Sequence, residues 1–207
     1  MKVLSFDLDG TIFRKNLDDV LWNKKIPELF AEKKNISFSK AQHFVLDEYN
    51  KVGQSDIRWY LPEYWFNLFN LNTSLNTVLD SMDYSSGIYD DVSVIQEFAK
   101  NYMIVISTNN PRSILEYKLK VLKDIMNISH VFSSVSDFDN ILKNRQFFTL
   151  VCSKLGIKPQ YMLHIGDDPF YDVSEPCAAG INVILIDRDG KSSALHNFYD
   201  LRLVLNY

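Results

Sequence analysis

Four short apolar runs stand out along the chain, and three of them end in polar residues. Residues 3–6 are followed by DLDGT, residues 103–106 by STNN, and residues 162–165 by GDD. The fourth run, residues 183–186, follows the small residues Ala-Ala-Gly. Runs of this length separated by helical stretches are typical of buried parallel strands. We therefore predict four strands, three of which carry polar side chains at their carboxyl ends.

Helical patterns lie between these runs. Apolar residues recur at helical spacing over residues 92–99 and after Pro111, and a further helix is predicted over residues 145–155, ending at Gly156. Alternation of strands and helices predicts an α/β fold with a doubly wound, Rossmann-like parallel sheet. In such sheets ligands bind at the carboxyl ends of the strands, where the three polar segments are expected to converge.

One long segment interrupts this alternation. Between the first and second runs no convincing strand is found, and helical patterns begin near Ser39, Pro62 and Ser74. We predict an inserted α-helical cap over the first polar segment. The expected domains are an α/β core formed by residues 1–13 and 87–207, and a helical cap formed by residues 14–86.

The cap carries a cluster of aromatic residues at positions 59–66, WYLPEYWF. Large apolar side chains are needed to form the core of a small helical unit, and this is the simpler interpretation. The alternative is that one or two of these rings face the active site and select an organic leaving group.

The composition of the chain argues against several classes of function. The chain has 207 residues, with 22 Lys and Arg against 26 Asp and Glu, a formal net charge of −4. A mild acidic excess argues against a nucleic-acid partner, and no apolar run is long enough for a membrane span. The first six residues are strand-like, so no signal peptide is expected, and two cysteines suit a reducing compartment. We expect a cytoplasmic protein, as a monomer or homodimer.

The polar segments suggest metal and phosphate chemistry. Asp7 and Asp9 precede Gly10, which permits a turn, and Asp167 follows another strand, with Asp168 or Asp172 nearby. Each motif alone is also typical of an ordinary turn or helix cap, but three at the ends of three strands favour one site. Clustered carboxylates favour Mg²⁺, and the hydroxyls of residues 107 and 108 suit an oxyanion.

These motifs resemble those of the haloacid dehalogenase-like (HAD) hydrolase superfamily. Residues 6–11, FDLDGT, match its first motif, residues 106–109, ISTN, resemble the second, and residues 164–172, HIGDDPFYD, fit the fourth. The inserted helices resemble the family's cap between the first and second motifs. The third motif departs from the usual Lys-Pro pattern, because Lys143 is followed by Asn; Lys143 is the best candidate and Arg145 the substitute.

The resemblance implies a Mg²⁺-dependent phosphatase that forms an aspartyl-phosphate, with a phosphoglycolate phosphatase as one possible type. Asp7 would be the nucleophile and Asp9 the acid and base. The implied Mg²⁺ ligands are Asp7, Asp9 (through its carbonyl) and Asp167. The implied phosphate contacts are Ser107, Thr108, Asn109 and Lys143. Thr11, Asp168 and Asp172 would orient the loop and the metal ligands.

Several alternatives stay open at this point. An acid at position 9 favours phosphate esters over the carbon–halogen bonds of haloacid dehalogenases, which lack it, but a phosphoryl-transfer mutase keeps the same acid. A phosphate-sensing or non-catalytic protein of the same fold is the other alternative. The expected partner is a small phosphorylated metabolite, such as a sugar phosphate, phosphoglycolate or a nucleotide. The histidines, His43, His130, His164 and His196, are interpreted as structural.

Overall fold

A computed structural model describes residues 2–138, 142–188 and 197–206. Within them lies a parallel sheet of six strands in the order β3-β2-β1-β4-β5-β6. The strands are β1 (Val3–Phe6), β2 (Met103–Thr108), β3 (His130–Ser133), β4 (Met162–Gly166), β5 (Asn182–Ile186) and β6 (Asn197–Phe198). The α/β, doubly wound fold class is therefore confirmed, and the four predicted strands correspond to β1, β2, β4 and β5.

The centre of the sheet places the polar segments next to one another. β1 is buried along its whole length and pairs with β2 on one side and β4 on the other. Phe6, the last residue of β1, lies opposite Ile106 and Ile165 in the register. The residues that follow these three positions therefore leave the sheet at the same edge, which is the arrangement expected of a ligand site in this architecture.

In the described part of the core, five α-helices accompany the strands. They are α6 (Ile95–Phe98), α7 (Arg112–Leu122), α8 (Ser134–Asp137), α9 (Arg145–Leu155) and α10 (Glu175–Ala178). The predicted helix over 145–155 is confirmed: the Asn144 side chain accepts a hydrogen bond from the Phe147 N–H at its start, and Gly156 ends it with φ +64°. The helix expected over 92–99 is shorter, because its first turn, Val92–Val94, is 3₁₀.

The segment between β1 and β2 is helical, as predicted. It contains α1 (Asn16–Val20), a π-helical turn (Leu21–Lys25), α2 (Ile26–Lys34), α3 (Phe38–Val52), a 3₁₀ turn (Ile57–Tyr60), α4 (Pro62–Leu68) and α5 (Leu75–Asp80). Ser74 caps α5 by accepting a hydrogen bond from the Thr77 N–H. The third helix, α3, begins at Phe38, so its N-cap residue is Ser37 and not the predicted Ser39.

The inserted helices and the sheet share one continuous apolar cluster. Trp65 and Val45 of the insertion belong to the same cluster as Phe6 and Ile165 of the sheet. The division into core and cap at residues 13 and 86 is a matter of topology and remains a prediction. Among the described residues, no helix combines the length and the hydropathy that a membrane crossing requires.

Candidate active site

The site begins where β1 ends. Asp7 directly follows the strand, and its backbone N–H donates to the carbonyl of Ile165 on β4, so the sheet fixes its position. Its side chain is buried, and Asp167 and Asp172 lie close by: one carboxylate oxygen of each of the three falls within 4.8 Å of the others. Burial, followed by the charges of these neighbouring acids, raises the pKa of Asp7 well above its usual range, although Lys143 opposes the shift.

Lys143 supplies the positive charge at the centre of this cluster. Its side chain is 2% exposed, and the ammonium contacts both Asp7 and Asp172, the latter at 2.5 Å. Burial alone would lower the pKa of Lys143, but the two carboxylates outweigh it and raise the pKa. Arg145 is exposed and does not line the cleft around Asp7. Of the two candidates for the third motif, the structure therefore brings Lys143 to the cluster.

The loop after β4 positions the remaining acids. Asp168 accepts hydrogen bonds from the N–H groups of Phe170 and Tyr171, both at 2.8 Å, and so caps the turn that carries Asp172. Burial would raise the pKa of Asp172, but the ammonium of Lys143 and the hydrogen bond from His164 lower it. Asp172 therefore acts as an anionic anchor for Lys143.

The donor set fits a hard divalent cation. Carboxylate oxygens are the ligands that Mg²⁺ prefers. Asp172 already accepts bonds from Lys143, His164 and the Asp168 N–H, whereas among the described residues the Asp167 carboxylate is bonded only to the exposed ammonium of Lys15. A Cβ on Gly10 would lie 2.2 Å from an Asp167 carboxylate oxygen, so the glycine gives this side chain its space. Asp7 and Asp167 are thus the side chains best placed to hold a metal ion.

The end of β2 supplies hydrogen-bond donors. The Thr108 hydroxyl oxygen accepts from the backbone and side-chain N–H groups of Asn110, both at 3.1 Å, which leaves its hydrogen to donate. The side-chain oxygen Oδ1 of Asn109 accepts from the backbone N–H of Lys143 at 2.9 Å and from the Ser134 hydroxyl at 2.8 Å, which leaves the side-chain NH₂ group of Asn109 to donate. Both residues line the cleft of about 320 Å³ that contains Asp7.

Two residues predicted for the site do not face this cleft. The Ser107 side chain is fully buried, and its Oγ lies 2.8 Å from that of Ser5 inside the sheet, because alternate residues of a strand point to opposite faces. A phosphate contact through its hydroxyl therefore has no support in the geometry. The Thr11 hydroxyl is buried with no hydrogen-bond partner among the described residues, and only its carbonyl is bonded, to Arg188.

Comparison with known families agrees with this geometry. The family model described as haloacid dehalogenase-like hydrolase matches residues 1–180, which is most of the chain. The chain belongs to this family.

Individual proteins are similar to this chain over most of their length. The GMP/IMP nucleotidase YrfG of Escherichia coli (strain K12) is 23% identical over 168 residues, which cover 78% of this chain and 72% of YrfG. A HAD phosphatase from Thermococcus onnurineus has a TM-score of 0.79 at 24% identity, covering 99% of this chain and 98% of its own. The putative HAD-hydrolase YfnB from Bacillus subtilis, bound to magnesium, has a TM-score of 0.66 at 18% identity, covering 99% and 97%.

Asp9 of this HAD-like hydrolase is held by residues that the sequence did not reveal. One carboxylate oxygen accepts from the ammonium of Lys118 on α7, and the other accepts from the Asn110 side chain. Lys118 is fully buried, and its Nζ also lies 2.7 Å from Oδ2 of Asp18 on α1. These two carboxylates outweigh the effect of burial and raise the pKa of Lys118. Burial raises the pKa of Asp18 to about 6, although Lys118 opposes the shift.

The contacts of His164 were also not predicted from the sequence. It is fully buried on β4, with Nε2 2.9 Å from Asp172 Oδ1 and Nδ1 2.9 Å from Ser5 Oγ. Burial lowers its pKa, so it is neutral at physiological pH. Its structural interpretation fits these contacts, since it holds the carboxylate that anchors Lys143. His196 lies outside the described residues.

Two of the missed residues left signals in the sequence. Lys118 occupies the apolar stripe of α7 formed by Ile114, Leu115 and Leu122, and a lysine on such a stripe needs a buried anion. His164 interrupts an otherwise apolar strand for a similar reason. Asp18, in contrast, is one of two acids in the first turn of α1, and nothing in the pattern distinguishes it from a solvated residue.

Proposed function

We propose that this HAD-like hydrolase is a Mg²⁺-dependent phosphatase that hydrolyses a small phosphate monoester through an aspartyl-phosphate on Asp7. The observation that supports it best is the buried Asp7 carboxylate beside Lys143 and Asp167, at the end of the central strand. A nucleophile that must approach an anionic substrate needs nearby cations, and the ammonium of Lys143 is one of them.

The site residues have separate roles in phosphoryl transfer and in hydrolysis. Asp7 attacks phosphorus, so that a bond forms between its oxygen and phosphorus while the bond to the leaving oxygen breaks. Asp9 gives a proton to the leaving oxygen and later takes one from the water that hydrolyses the aspartyl-phosphate. Thr108, Asn109 and Lys143 each retain donors that can bind the phosphoryl oxygens during both steps.

Mg²⁺ would be held by Asp7 and Asp167, together with the carbonyl of Asp9, as the family resemblance implies. When bound, it supplies Lewis-acid charge that offsets the repulsion between the carboxylates and the phosphate. The magnesium reported for the Bacillus subtilis relative supports the choice of metal. Sugar phosphates, phosphoglycolate and nucleotides are the candidate substrates, and the name of the Escherichia coli relative, a GMP/IMP nucleotidase, supports the last of these.

The test is release of inorganic phosphate from p-nitrophenyl phosphate, measured with Mg²⁺ and with EDTA. We expect turnover only with Mg²⁺, and a loss of at least about 1000-fold in kcat for Asp7→Asn. The matched control is Asp124→Asn, a change at an exposed position of the core. Full activity in EDTA, or in Asp7→Asn, would rule out the mechanism. With a sugar phosphate as the substrate, an isomerised ester formed without free phosphate would instead favour a mutase.

A further inference from the structure

A second cavity adjoins the proposed phosphate site. It has a volume of about 390 Å³ and shares Asp9 and Asn109 with the cleft that contains Asp7. Asp9 is the residue proposed to protonate the leaving oxygen, so the leaving group must lie on its side of the phosphorus. The cavity beyond Asp9 is therefore the space that the leaving group enters, and its size falls within the range of pockets for small organic ligands.

Aromatic rings from the inserted helices form much of its wall. Trp22, Tyr49, Trp59 and Tyr60 all line it. Trp22 and Trp59 pack against Tyr49 at interplanar angles of 84° and 64°, and both remain partly exposed. The hydroxyls of Tyr49 and Tyr60 already donate to the carbonyls of Trp22 and Gln54. These residues thus present ring surface, which suits a flat ring.

The polar groups of the cavity exclude one class of leaving group and suit another. Asp18 and Asp19 line it together with Asp9, and no lysine or arginine is among its lining residues in the described part of the chain. A carboxylate on the leaving group, as in glycolate, would be repelled. Hydroxyl groups can donate to these acids instead. Asn50 also lines the cavity, and its amide offers donors and an acceptor to the edge of a heterocycle.

We propose that this aromatic cavity binds an uncharged nucleoside as the leaving group, so that the substrate is a nucleoside monophosphate. This inference rests on the proposed function, because Asp9 locates the leaving group only if the protein cleaves a phosphate ester. It also selects one of the three substrate classes and disfavours phosphoglycolate.

The test compares kcat/KM for guanosine 5′-monophosphate, ribose 5-phosphate and 2-phosphoglycolate, with Mg²⁺ present. We expect the nucleotide to exceed ribose 5-phosphate by roughly tenfold or more, since a stacked base contributes about this much, and phosphoglycolate to be slowest. Trp22→Leu should reduce the ratio of nucleotide to ribose 5-phosphate several-fold. Phe44→Leu is the matched control, because Phe44 is an exposed aromatic residue of the same insertion and does not line the cavity.

Two further measurements keep the inference separate from the proposed function. Asp19 is exposed, so Asp19→Lys should fold normally and should raise kcat/KM for phosphoglycolate several-fold. Guanosine alone should quench the tryptophan fluorescence of the wild type, and less so that of Trp22→Leu. If p-nitrophenyl phosphate is hydrolysed but the nucleotide is not preferred over ribose 5-phosphate, the inference is wrong and the proposed function stands. If no ester is hydrolysed but guanosine quenches the tryptophan fluorescence, the proposed function is wrong and the cavity assignment stands. If no ester is hydrolysed and guanosine does not quench the fluorescence, both are wrong.

Discussion

The buried ion pair between Asp18 and Lys118 makes the stability of the protein depend on pH in a way that one substitution can isolate. The Asp18 carboxylate bonds the Lys118 ammonium with one oxygen at 2.7 Å, while its other oxygen is buried with no hydrogen-bond partner among the described residues. Burial raises the pKa of Asp18 from 3.8 to about 6. Asp18→Asn keeps the shape of the side chain and removes this titration.

The sign and size of the effect follow from proton binding. Because the native carboxyl binds its proton more tightly than the unfolded one, the native state holds more protons between about pH 4 and pH 6. The free energy of unfolding therefore falls as the pH rises through this window. A difference of about two pKa units corresponds to at most about 3 kcal/mol. The side chain of Asp18 is 18% exposed, and solvent screening reduces our expectation to about 1–2 kcal/mol.

The assay is urea denaturation at pH 4 and at pH 7.5, in EDTA so that metal binding does not contribute. Relative to Asp18→Asn, the wild type should lose about 1–2 kcal/mol of stability between the two pH values. The exposed Asp124→Asn variant should keep the pH dependence of the wild type. If wild type and Asp18→Asn change in parallel, Asp18 does not titrate in this window, and the reasoning from its burial is refuted.

Three other changes test the site. Lys143→Met leaves two buried carboxylates without their cation and should lower the free energy of unfolding in urea by about 3–5 kcal/mol, with partial recovery in Mg²⁺; an unchanged value would contradict the buried pairs. Gly10→Ala places a Cβ 2.2 Å from a carboxylate oxygen of Asp167 and should weaken Mg²⁺ binding, measured by calorimetry, at least about tenfold. The control is Gly53→Ala, which is also at positive φ but whose Cβ would lie 3.8 Å from the Asn50 carbonyl oxygen, and which should leave Mg²⁺ binding unchanged. His164→Phe removes the bond to a buried carboxylate and should cost about 1–3 kcal/mol in urea; no loss would show that the bond is not formed.

Two strands were not predicted from the sequence, β3 and the two-residue β6, and β3 differs from the predicted strands in burial. β1, β2, β4 and β5 are apolar runs because most of their residues are covered by the sheet and its helices. β3 lies at the edge of the sheet, with His130 exposed and Val131 partly exposed, so its pattern is too mixed to recognise. Hydrophobic periodicity detects burial, and an edge strand has little of it.

A similar distinction applies to the candidate site. Asp7 and Asp167 each follow a strand and Thr108 is the last residue of one, and strand ends converge in a parallel sheet whatever the details of the loops. Lys118 reaches Asp9 from the middle of a helix, and Asp18 reaches Lys118 from another, so their meeting depends on how the helices pack. The motif gives two neighbouring hydroxyls, and only the strand's alternation decides that Thr108, and not Ser107, faces the cleft.

These helix-borne charges connect the inserted segment to the chemistry proposed for Asp9. Asp18 belongs to α1 of the insertion, while Lys118 belongs to α7 beside the sheet, and the ion pair between them lies next to the cavity proposed for the leaving group. A displacement of α1 would break this pair and leave Asp9 as the sole carboxylate partner of the buried Lys118 ammonium. The ammonium would then bind Asp9 more strongly. The position of the insertion would then alter the contacts that hold the Asp9 side chain in place. In this protein, therefore, the helices proposed to select the substrate also act on the group proposed to protonate it.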